Sequence, residues 1–318
     1  MSRARLFFAR CIVVVALTTG ALAAAAEGTA PTGTPRDERA VSVPVPPRLP
    51  LAQGTNAVDA RPAWRLGRSP SAASAPAGVR AGVVFDLRSG RVLWERHGAS
   101  ALPVASLTKV MTALLVVERL SPPARVRIPA AALRVRGSHS GLPRAGHLAR
   151  TEDLLRGLLL ASGNDAAVAL AVRAAGSERA FVTKMNRRAR RWGLRCTRFV
   201  SVHGLGAANR VCPRDLAVLT RRAMRTPRIA RIVRRPSARA RLGPGGSTVT
   251  LRSTNPLLHA GERGVLGLKT GWAPYAGRCL IAVVRRDGRR LGIVLLDAPD
   301  RVSTVRTLLA RVRARTRR

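Results

Sequence analysis

Lysine and aromatic residues are both scarce in this sequence of 318 residues. Lysine and arginine total 57, but lysine occurs only at Lys109, Lys184 and Lys269. Aromatic residues make up 3% of the chain and hydrophobic residues 46%, so the core must be built from alanine, leucine and valine. Arginine does not lose its proton in a protein, whereas a buried lysine can. The few lysines therefore mark positions where a titratable amine is useful, although Lys184 fits a solvated helix face.

Several motifs of other protein classes are absent from the sequence. There is no His-Glu-x-x-His or Cys-x-x-Cys pattern, so we predict neither a metal site nor a cofactor. No serine lies in a Gly-x-Ser-x-Gly elbow, which argues against a Ser-His-Asp hydrolase built on His203. The arginines are scattered without interleaved aromatics or a finger, RRM or zipper pattern, so we expect no nucleic-acid partner.

The formal net charge of +41 is the most extreme property of the composition. One interpretation is attraction to an anionic cell envelope, meaning acidic lipids or wall polymers. The other is a bias toward arginine that has charged the surface without a partner. We predict the anionic envelope as a partner and leave the second interpretation open.

The N-terminal part of the chain predicts export. Residues 1–26 combine a basic start, an apolar run from Cys11 to Ala23 and small residues suited to cleavage, which is typical of a signal peptide. The run is short for a membrane span, and an uncleaved tether stays open as an alternative. Residues 27–78 are rich in Pro, Ala, Ser, Thr and Gly, which predicts a disordered linker. We therefore place a catalytic domain at 79–318 in the cell envelope or outside the cell.

Hydrophobic periodicity predicts an α/β (α+β) domain. Strand-like segments between 81 and 95 precede a helical block, and further strands lie between 267 and 296 before a closing helix from Val302 to Val312. Within the block, a helix begins near Ser106 and another is capped by Thr151. One antiparallel sheet that takes strands from both ends of the domain would explain this order.

Three short motifs carry the chemistry. Ser106-x-x-Lys109 brings a hydroxyl and an amine onto one face of a helix, where a neutral amine can act as base for a serine nucleophile. Ser162-Gly163-Asn164 and Lys269-Thr270-Gly271 follow in order. Each motif alone is common in ordinary loops and turns, but the set in this order is the signature of penicillin-binding proteins and class A β-lactamases.

The sequence resembles the serine D-alanyl-D-alanine carboxypeptidases among the low-molecular-mass penicillin-binding proteins over roughly residues 79–315. The segment from Pro103 to Ala113 is similar to that family's nucleophile segment, and residues 199–205 with 215–217 are similar to an intervening segment. The resemblance implies a β-lactamase/DD-peptidase-like fold with a helical subdomain. It also implies peptidoglycan stem peptides as substrate and β-lactams as inhibitors.

The resemblance also implies a role for each motif residue. Ser106 attacks the carbonyl of a D-Ala-D-Ala bond, Lys109 is its base, and Ser162 relays a proton to the leaving amine. The Asn164 amide holds the substrate, which pairs along the strand at Gly271. The backbone N–H groups of Ser106 and Trp272 form an oxyanion hole. The terminal carboxylate is bound by Lys269, Thr270 and an arginine, which is Arg301 or, as the alternative, Arg306.

An oxidising compartment permits a disulfide. We predict that Cys196 and Cys212 pair and close the loop that carries His203, while Cys279 stays a buried free thiol beside the third motif.

Other functions remain open at the level of sequence. A D,D-endopeptidase would use the same chemistry, and carboxypeptidase and endopeptidase differ in the cleft around Trp272 and Tyr275. A β-lactamase needs a water-activating carboxylate, but we find no Glu-x-x-x-Asn loop, and Glu178 falls in a predicted helix. A non-catalytic, basic wall-binding protein is the alternative of another class, and the completeness of the three motifs argues against it.

Overall fold

Strands from the two ends of the folded region meet in one antiparallel sheet of five strands, in the order β2-β1-β11-β10-β9. The strands are β1 (Ala81–Asp86), β2 (Val92–Arg96), β3 (Leu102–Pro103), β4 (Arg125–Arg127), β5 (Leu148–Arg150), β6 (Arg210–Val211), β7 (Ser237–Arg241), β8 (Thr248–Arg252), β9 (Val265–Ala273), β10 (Gly277–Arg286) and β11 (Arg289–Leu296). The pairs β3–β6, β4–β5 and β7–β8 form three separate two-stranded sheets. The predicted sheet built from both ends is confirmed.

Most helices lie between β2 and β7 in the chain. They are α1 (Lys109–Arg119), α2 (Ala130–Arg134), α3 (Thr151–Leu159), α4 (Asn164–Ala175), α5 (Glu178–Arg191), α6 (Pro213–Arg225), α7 (Pro227–Val233), α8 (Pro256–His259) and α9 (Arg301–Thr316), with 3-10 turns at Ala105–Thr108 and Pro244–Gly246. No helix among the described residues is long and apolar enough to cross a membrane.

This computed structural model describes residues 66–67, 76 and 78–316, which all belong to one compact unit. The predicted export signal and most of the predicted linker lie outside the described residues. Leu66 packs against the core, and Gly67 N donates to Gly90 O at 3.0 Å, so contacts with the domain begin ahead of Val79.

The central sheet is buried on both faces because its strands alternate two sets of apolar side chains. One face packs against the helical block through Ala81, Val83, Phe85, Cys279, Ile281, Val283, Val294 and Leu296. The other face packs against α9 through Val84, Leu280, Ala282, Val284, Leu291, Ile293 and Leu295. The result is three layers, with α9 on one side of the sheet and the helical block on the other.

Tight turns and small residues set the register of the sheet. Asp287 and Gly288 have φ angles of +46° and +73°, as a two-residue hairpin turn between β10 and β11 requires. A Cβ at Gly292 would collide with the Phe85 ring, since the two residues are paired across β1 and β11. The aromatic ring therefore occupies the space that a side chain at residue 292 would need.

Two predicted helix starts are wrong in detail. Ser106 lies in the 3-10 turn Ala105–Thr108, and α1 begins only at Lys109. Thr151 is the first residue of α3 and not its cap: its N–H and its hydroxyl both donate to Ala124 O at 2.9 Å. Because β5 runs directly into α3, the first N–H groups of the helix donate to Ala124 O and Pro122 O in the turn before β4.

Candidate active site

The nucleophile turn brings Ser106 and Lys109 together more directly than a regular helix would. A 3-10 helix has three residues per turn, so side chains at i and i+3 eclipse one another. Lys109 Nζ donates to Ser106 Oγ at 2.8 Å. Ala105, just before the serine, has a φ of +45°, a left-handed conformation that costs energy in a non-glycine residue and is common at functional sites.

Lys109 is fully buried and held by oxygen atoms that carry no charge. Its Nζ also donates to Asn164 Oδ1 at 2.6 Å and to His203 O at 2.9 Å. Burial, followed by the positive charge of Lys269, holds the pKa of Lys109 well below its usual value, while Asp165 acts in the opposite direction. When this amine is neutral, its two N–H groups stay on Asn164 and His203 and its lone pair can accept the Ser106 hydroxyl proton, so it is suited to act as a base.

The carbonyl of His203 reaches Lys109 because its loop lies directly against the nucleophile turn. Gly204 has a φ of +91°, and a Cβ there would collide with Ala105 O. The imidazole faces away from the serine: its Nδ1 accepts from Leu205 N at 3.1 Å, and its Nε2 lies 3.5 Å from Glu178 Oε1. Burial and Lys109 lower the pKa of His203 to about 4, so the ring is neutral at pH 7.

The second motif lies at the break between α3 and α4. Ser162 has a φ of +62° and is almost buried, and its Oγ accepts a hydrogen bond from Lys269 Nζ at 2.9 Å. Asn164 is bound at both ends of its amide, since its Oδ1 accepts from Lys109 and its Nδ2 donates to Arg136 O. One N–H of the NH₂ group remains for a substrate carbonyl.

The third motif lies on β9, at the edge of the central sheet. Lys269 Nζ also donates to Thr270 O at 2.9 Å, and burial, with Arg301 as the second cause, lowers the pKa of Lys269 to about 7. A Cβ at Gly271 would lie 2.8 Å from Val104 O and 3.2 Å from Ser106 N. Glycine is therefore needed there for the close approach of β9 to the nucleophile turn.

Trp272 and Tyr275 form the open rim beside the third motif. Trp272 is 66% exposed, the highest value among the large hydrophobic side chains that the structure describes as exposed. The Tyr275 hydroxyl accepts from Gly206 N at 2.8 Å and donates to Gly204 O at 3.3 Å, which connects the β9–β10 turn to the His203 loop.

The two candidate arginines face different surroundings. Arg301 is half-buried, donates to Cys279 O at 3.4 Å and acts electrostatically on Lys269. Arg306 is bound to Glu262 at 2.9 Å instead. The geometry thus favours Arg301 over Arg306 as a residue of the cleft. Cys279 is buried and free, and burial raises the pKa of its thiol to about 11.

The structure pairs Cys196 with Cys212, whose Cα atoms lie 5.7 Å apart. These two sulfurs and Asp215 lie close enough together to hold a metal ion, but the sulfurs are bonded to each other. Asp215 accepts from Cys196 N at 3.0 Å and from Thr197 Oγ1 at 2.7 Å. The loop that carries His203 is therefore fastened at both ends.

Two residues that contact the motifs were missed by the sequence analysis. Thr254 Oγ1 lies 2.6 Å from Thr270 Oγ1, and no signal in the sequence connects the two positions. Asp165 follows the second motif directly, so the sequence indicates that it lies near Ser162 and Asn164. The sequence does not indicate which groups its carboxylate contacts. Asp165 is also 3.9 Å from His139, which has about half of its side chain exposed.

The structure thus gathers a serine, two buried lysines of lowered pKa, a second serine and an amide in one cleft. A neutral base against a serine, with a protonated amine or a guanidinium nearby, is equipped for acyl transfer from a substrate that ends in a carboxylate. Glu178 lies at the start of α5 behind His203, where its carboxylate accepts from Val202 N at 3.3 Å. It does not face the serine as the water-activating carboxylate of a β-lactamase would.

The proteins to which this chain is similar are D-alanyl-D-alanine peptidases and a DD-transpeptidase. A D-alanyl-D-alanine endopeptidase of Pseudomonas aeruginosa is 32% identical over 219 residues, which cover 68% of this chain and 70% of that protein. DacB2, a D-alanyl-D-alanine carboxypeptidase of Mycobacterium tuberculosis, is 34% identical over 217 residues, which cover 67% and 73%. A solved structure of a Streptomyces K15 DD-transpeptidase variant, 30% identical, has a TM-score of 0.69 and covers 76% of this chain and 100% of that one.

The model of peptidase family S11, D-alanyl-D-alanine carboxypeptidase, matches residues 69–300, which include all three motifs. The two lysines, the two serines and the amide of the cleft all fall within that match. This chain belongs to the D-alanyl-D-alanine carboxypeptidase family of serine peptidases.

Proposed function

We propose that this protein removes the terminal D-alanine from peptidoglycan stem peptides through an acyl-enzyme on Ser106. The observation that carries the proposal is the 2.8 Å contact between Lys109 Nζ and Ser106 Oγ inside a buried site. Family membership supports the reaction class, and the roles of the individual residues are our proposal.

In the first half of the reaction, Ser106 Oγ attacks the carbonyl carbon of the D-Ala-D-Ala bond and gives its proton to Lys109 Nζ. The developing oxyanion is stabilised by the backbone N–H groups of Ser106 and Trp272. As the C–N bond breaks, the proton held by Lys109 passes by way of Ser162 to the leaving amine, and Lys109 is neutral again. Free D-alanine departs, and the stem peptide is left as an ester on Ser106.

In the second half, water attacks the ester carbonyl and loses a proton to Lys109. The C–O bond to Ser106 then breaks, and the proton returns to Ser106 Oγ. In the first half, before the bond is cleaved, Asn164 holds a substrate amide, while Lys269, Thr270 and Arg301 bind the terminal carboxylate that then departs with D-alanine. The extended substrate lies along the free edge of β9 at Gly271.

The proposal is tested by acylation with benzylpenicillin, a β-lactam that reacts as an analogue of the D-Ala-D-Ala bond. Intact mass of the purified protein after brief exposure should show a lasting one-to-one adduct. Ser106→Ala should abolish the adduct, whereas Ser138→Ala in a neighbouring loop should keep it. Rapid consumption of the drug without a lasting adduct would support a β-lactamase instead, and no reaction would contradict the proposed nucleophile.

Hydrolysis products distinguish the peptidase activities, since curated relatives include both carboxypeptidases and endopeptidases. Incubation with a soluble pentapeptide that ends in D-Ala-D-Ala should release one D-alanine per peptide. Incubation with purified crosslinked muropeptides should leave the crosslinks intact. Cleavage of the crosslinks at a comparable rate would assign the protein as an endopeptidase.

We also propose that the protein is exported and associates with the anionic cell envelope through its charge of +41. Arg239, Arg241 and Arg252 on the exposed face of the β7–β8 hairpin support such a contact. Sedimentation with purified peptidoglycan should fall steeply as salt rises, because exposed charges are screened. Salt-independent sedimentation would contradict this partner.

A further inference from the structure

Asp165 is a buried carboxylate beside the second motif to which the proposed reaction gives no role. It is 1% exposed and lies in the first turn of α4. Ser140 N donates to both of its oxygen atoms, at 2.9 Å and 2.8 Å. Ala166 N donates to Oδ1 at 2.8 Å, and Leu142 N lies 3.4 Å from Oδ2. Three backbone N–H groups therefore satisfy this carboxylate, two of them from one loop.

The loop that Asp165 holds, residues 136–142, surrounds Asn164. Asn164 N donates to Ser138 O at 2.7 Å, and its Nδ2 donates to Arg136 O. A Cβ at Gly137 would lie 2.7 Å from Asn164 Nδ2, which shows how closely the loop backbone approaches the amide. Asn164 thus holds residues 136–138 of the loop, and Asp165 holds residues 140–142. Because the same amide accepts from Lys109, the position of this loop determines where Lys109 is held.

The charge of Asp165 also acts on the base. Lys269 on β9, His203 on the loop between residues 196 and 212, and Asp165 on α4 are the titratable groups that face Lys109. Lys269 lowers the pKa of Lys109, whereas Asp165 raises it. His139 is in contact with Asp165 from the loop, with its Nδ1 3.9 Å from Oδ2.

We propose that Asp165 is a positioning residue of the peptidase reaction, which seats the loop 136–142 around Asn164 and supplies a buried negative charge that offsets the charge of Lys109. This inference rests on the roles proposed above for Ser106 and Lys109. It adds a requirement that those roles do not contain: the base needs an acidic neighbour that never touches the substrate.

The test compares the pH dependence of kcat/KM for D-alanine release by four variants of the full-length protein. Asp165→Asn removes the charge, and Asp165→Glu keeps it on a longer side chain. Asp153→Asn is the matched control, since Asp153 is also nearly buried but is bound to Arg156 on α3. His139→Gln removes the titratable group that contacts Asp165. Melting temperatures of all four variants are recorded alongside.

For Asp165→Asn we expect a plateau of kcat/KM about 100-fold lower, because a catalytic group held about 1 Å out of place costs that much. The acid limb should also move to lower pH, because the base loses the neighbour that raises its pKa. Asp165→Glu should lower the plateau but leave the limb in place. Asp153→Asn should leave both unchanged, and His139→Gln should leave the acid limb in place.

An acid limb of Asp165→Asn that coincides with the wild-type limb would overturn the proposal, and so would the same change in Asp153→Asn. If Asp165→Asn does not fold, Asp165→Glu provides the test. A plateau of kcat/KM that is unchanged in Asp165→Glu would also overturn the proposal. Acylation of the wild-type protein at Ser106 is measured first. Wild-type protein without that adduct would contradict the proposed function itself, whereas an adduct with no effect of Asp165 contradicts only the positioning role.

Discussion

The two walls of the cleft each bury one lysine, but the two amines have different neighbours. The helical wall consists of the turn Ala105–Thr108, α1 and the His203 loop, and there Lys109 donates to three uncharged oxygen atoms. The sheet wall is β9, where Lys269 donates to Ser162 Oγ and Thr270 O and has Arg301 as a cationic neighbour.

This difference shows how one residue type can serve two purposes in one site. Lys109 has a pKa well below its usual value and is suited to exist as a neutral base. Lys269 has a pKa of about 7, so a bound carboxylate can easily keep it protonated. Burial lowers the pKa of both lysines, and the charged neighbours of each lysine shift its protonation equilibrium further.

The largest effects are expected from replacing each of the two amines. We expect Lys109→Met to lower the rate of acylation by benzylpenicillin about 1,000-fold, since it removes the general base. Lys269→Met should lower kcat/KM for a pentapeptide about 100-fold, mainly through KM, since a charged hydrogen bond to the carboxylate is lost. Stopped-flow acylation and steady-state kinetics measure the two effects. Equal losses in both measurements for both variants would contradict separate roles.

A smaller effect is expected from Arg301, the cationic neighbour of Lys269 in the sheet wall. The kcat/KM profile of the wild-type protein should fall as pH rises through about 7, where free Lys269 loses its proton. Arg301→Gln removes a positive charge that lowers the pKa of Lys269, so this alkaline limb should move to higher pH. Substrate affinity should fall about tenfold.

Arg306→Gln on the same helix is the control for that variant, because Arg306 is bound to Glu262. It should leave the alkaline limb and KM at their wild-type values. A limb that moves equally in both arginine variants would show that general surface charge, and not Arg301, acts on Lys269.

The smallest expected effect on activity comes from the disulfide, which belongs to the helical wall only. Replacing both Cys196 and Cys212 by alanine should lower the free energy of unfolding by about 3 kcal/mol, as expected for a crosslink across 16 residues. Acylation at 25 °C should change less than about twofold, since Asp215, Tyr275 and other contacts still hold the loop.

Thermal melting with and without reductant measures the stability effect. Reductant should lower the melting temperature of the wild-type protein and of Cys279→Ala, but not that of the double variant. An equal response of all three proteins to reductant would contradict a stabilising crosslink in this wall.

The sheet and its helix could be predicted from the sequence because their patterns are strong. The strands within 81–96 and 277–296 are rich in valine, leucine and isoleucine, and they lie within about two residues of the segments that the sequence predicts as strands. Ser177 and Pro213 also mark helix starts correctly, since a hydroxyl cap and a first-turn proline are local signals.

The hairpin of β7 and β8 was missed although its signal is present. Ser237–Arg241 alternates alanine and arginine, and only the alanines are buried. Alanine has a low strand propensity, so the period of two was not recognised as a strand. The three-residue strands β4 and β5 are too short to carry a period at all.

The motif residues of the site could be found from the sequence, but the contacts between them could not. The spacing of Ser106 and Lys109 predicts their meeting, whereas the bonds of Lys109 to Asn164 and His203 span 55 and 94 residues. The pairing of Thr254 with Thr270 depends on how β8 ends against α3, where Thr254 N donates to Leu160 O. Such contacts follow from tertiary packing, which local propensity does not encode.

The pairing of β1 with β11 has a consequence for how the enzyme matures. Ala81 pairs with Leu296, so the central strands cannot join until nearly the whole domain has been synthesised, which gives the fold a high contact order. Ser106 and Lys109 leave the ribosome long before Lys269, and β9 joins the sheet through its pairing with β10. A chain that stops before β9 therefore carries Ser106 and Lys109 without Lys269, and we expect it to lack acylating activity.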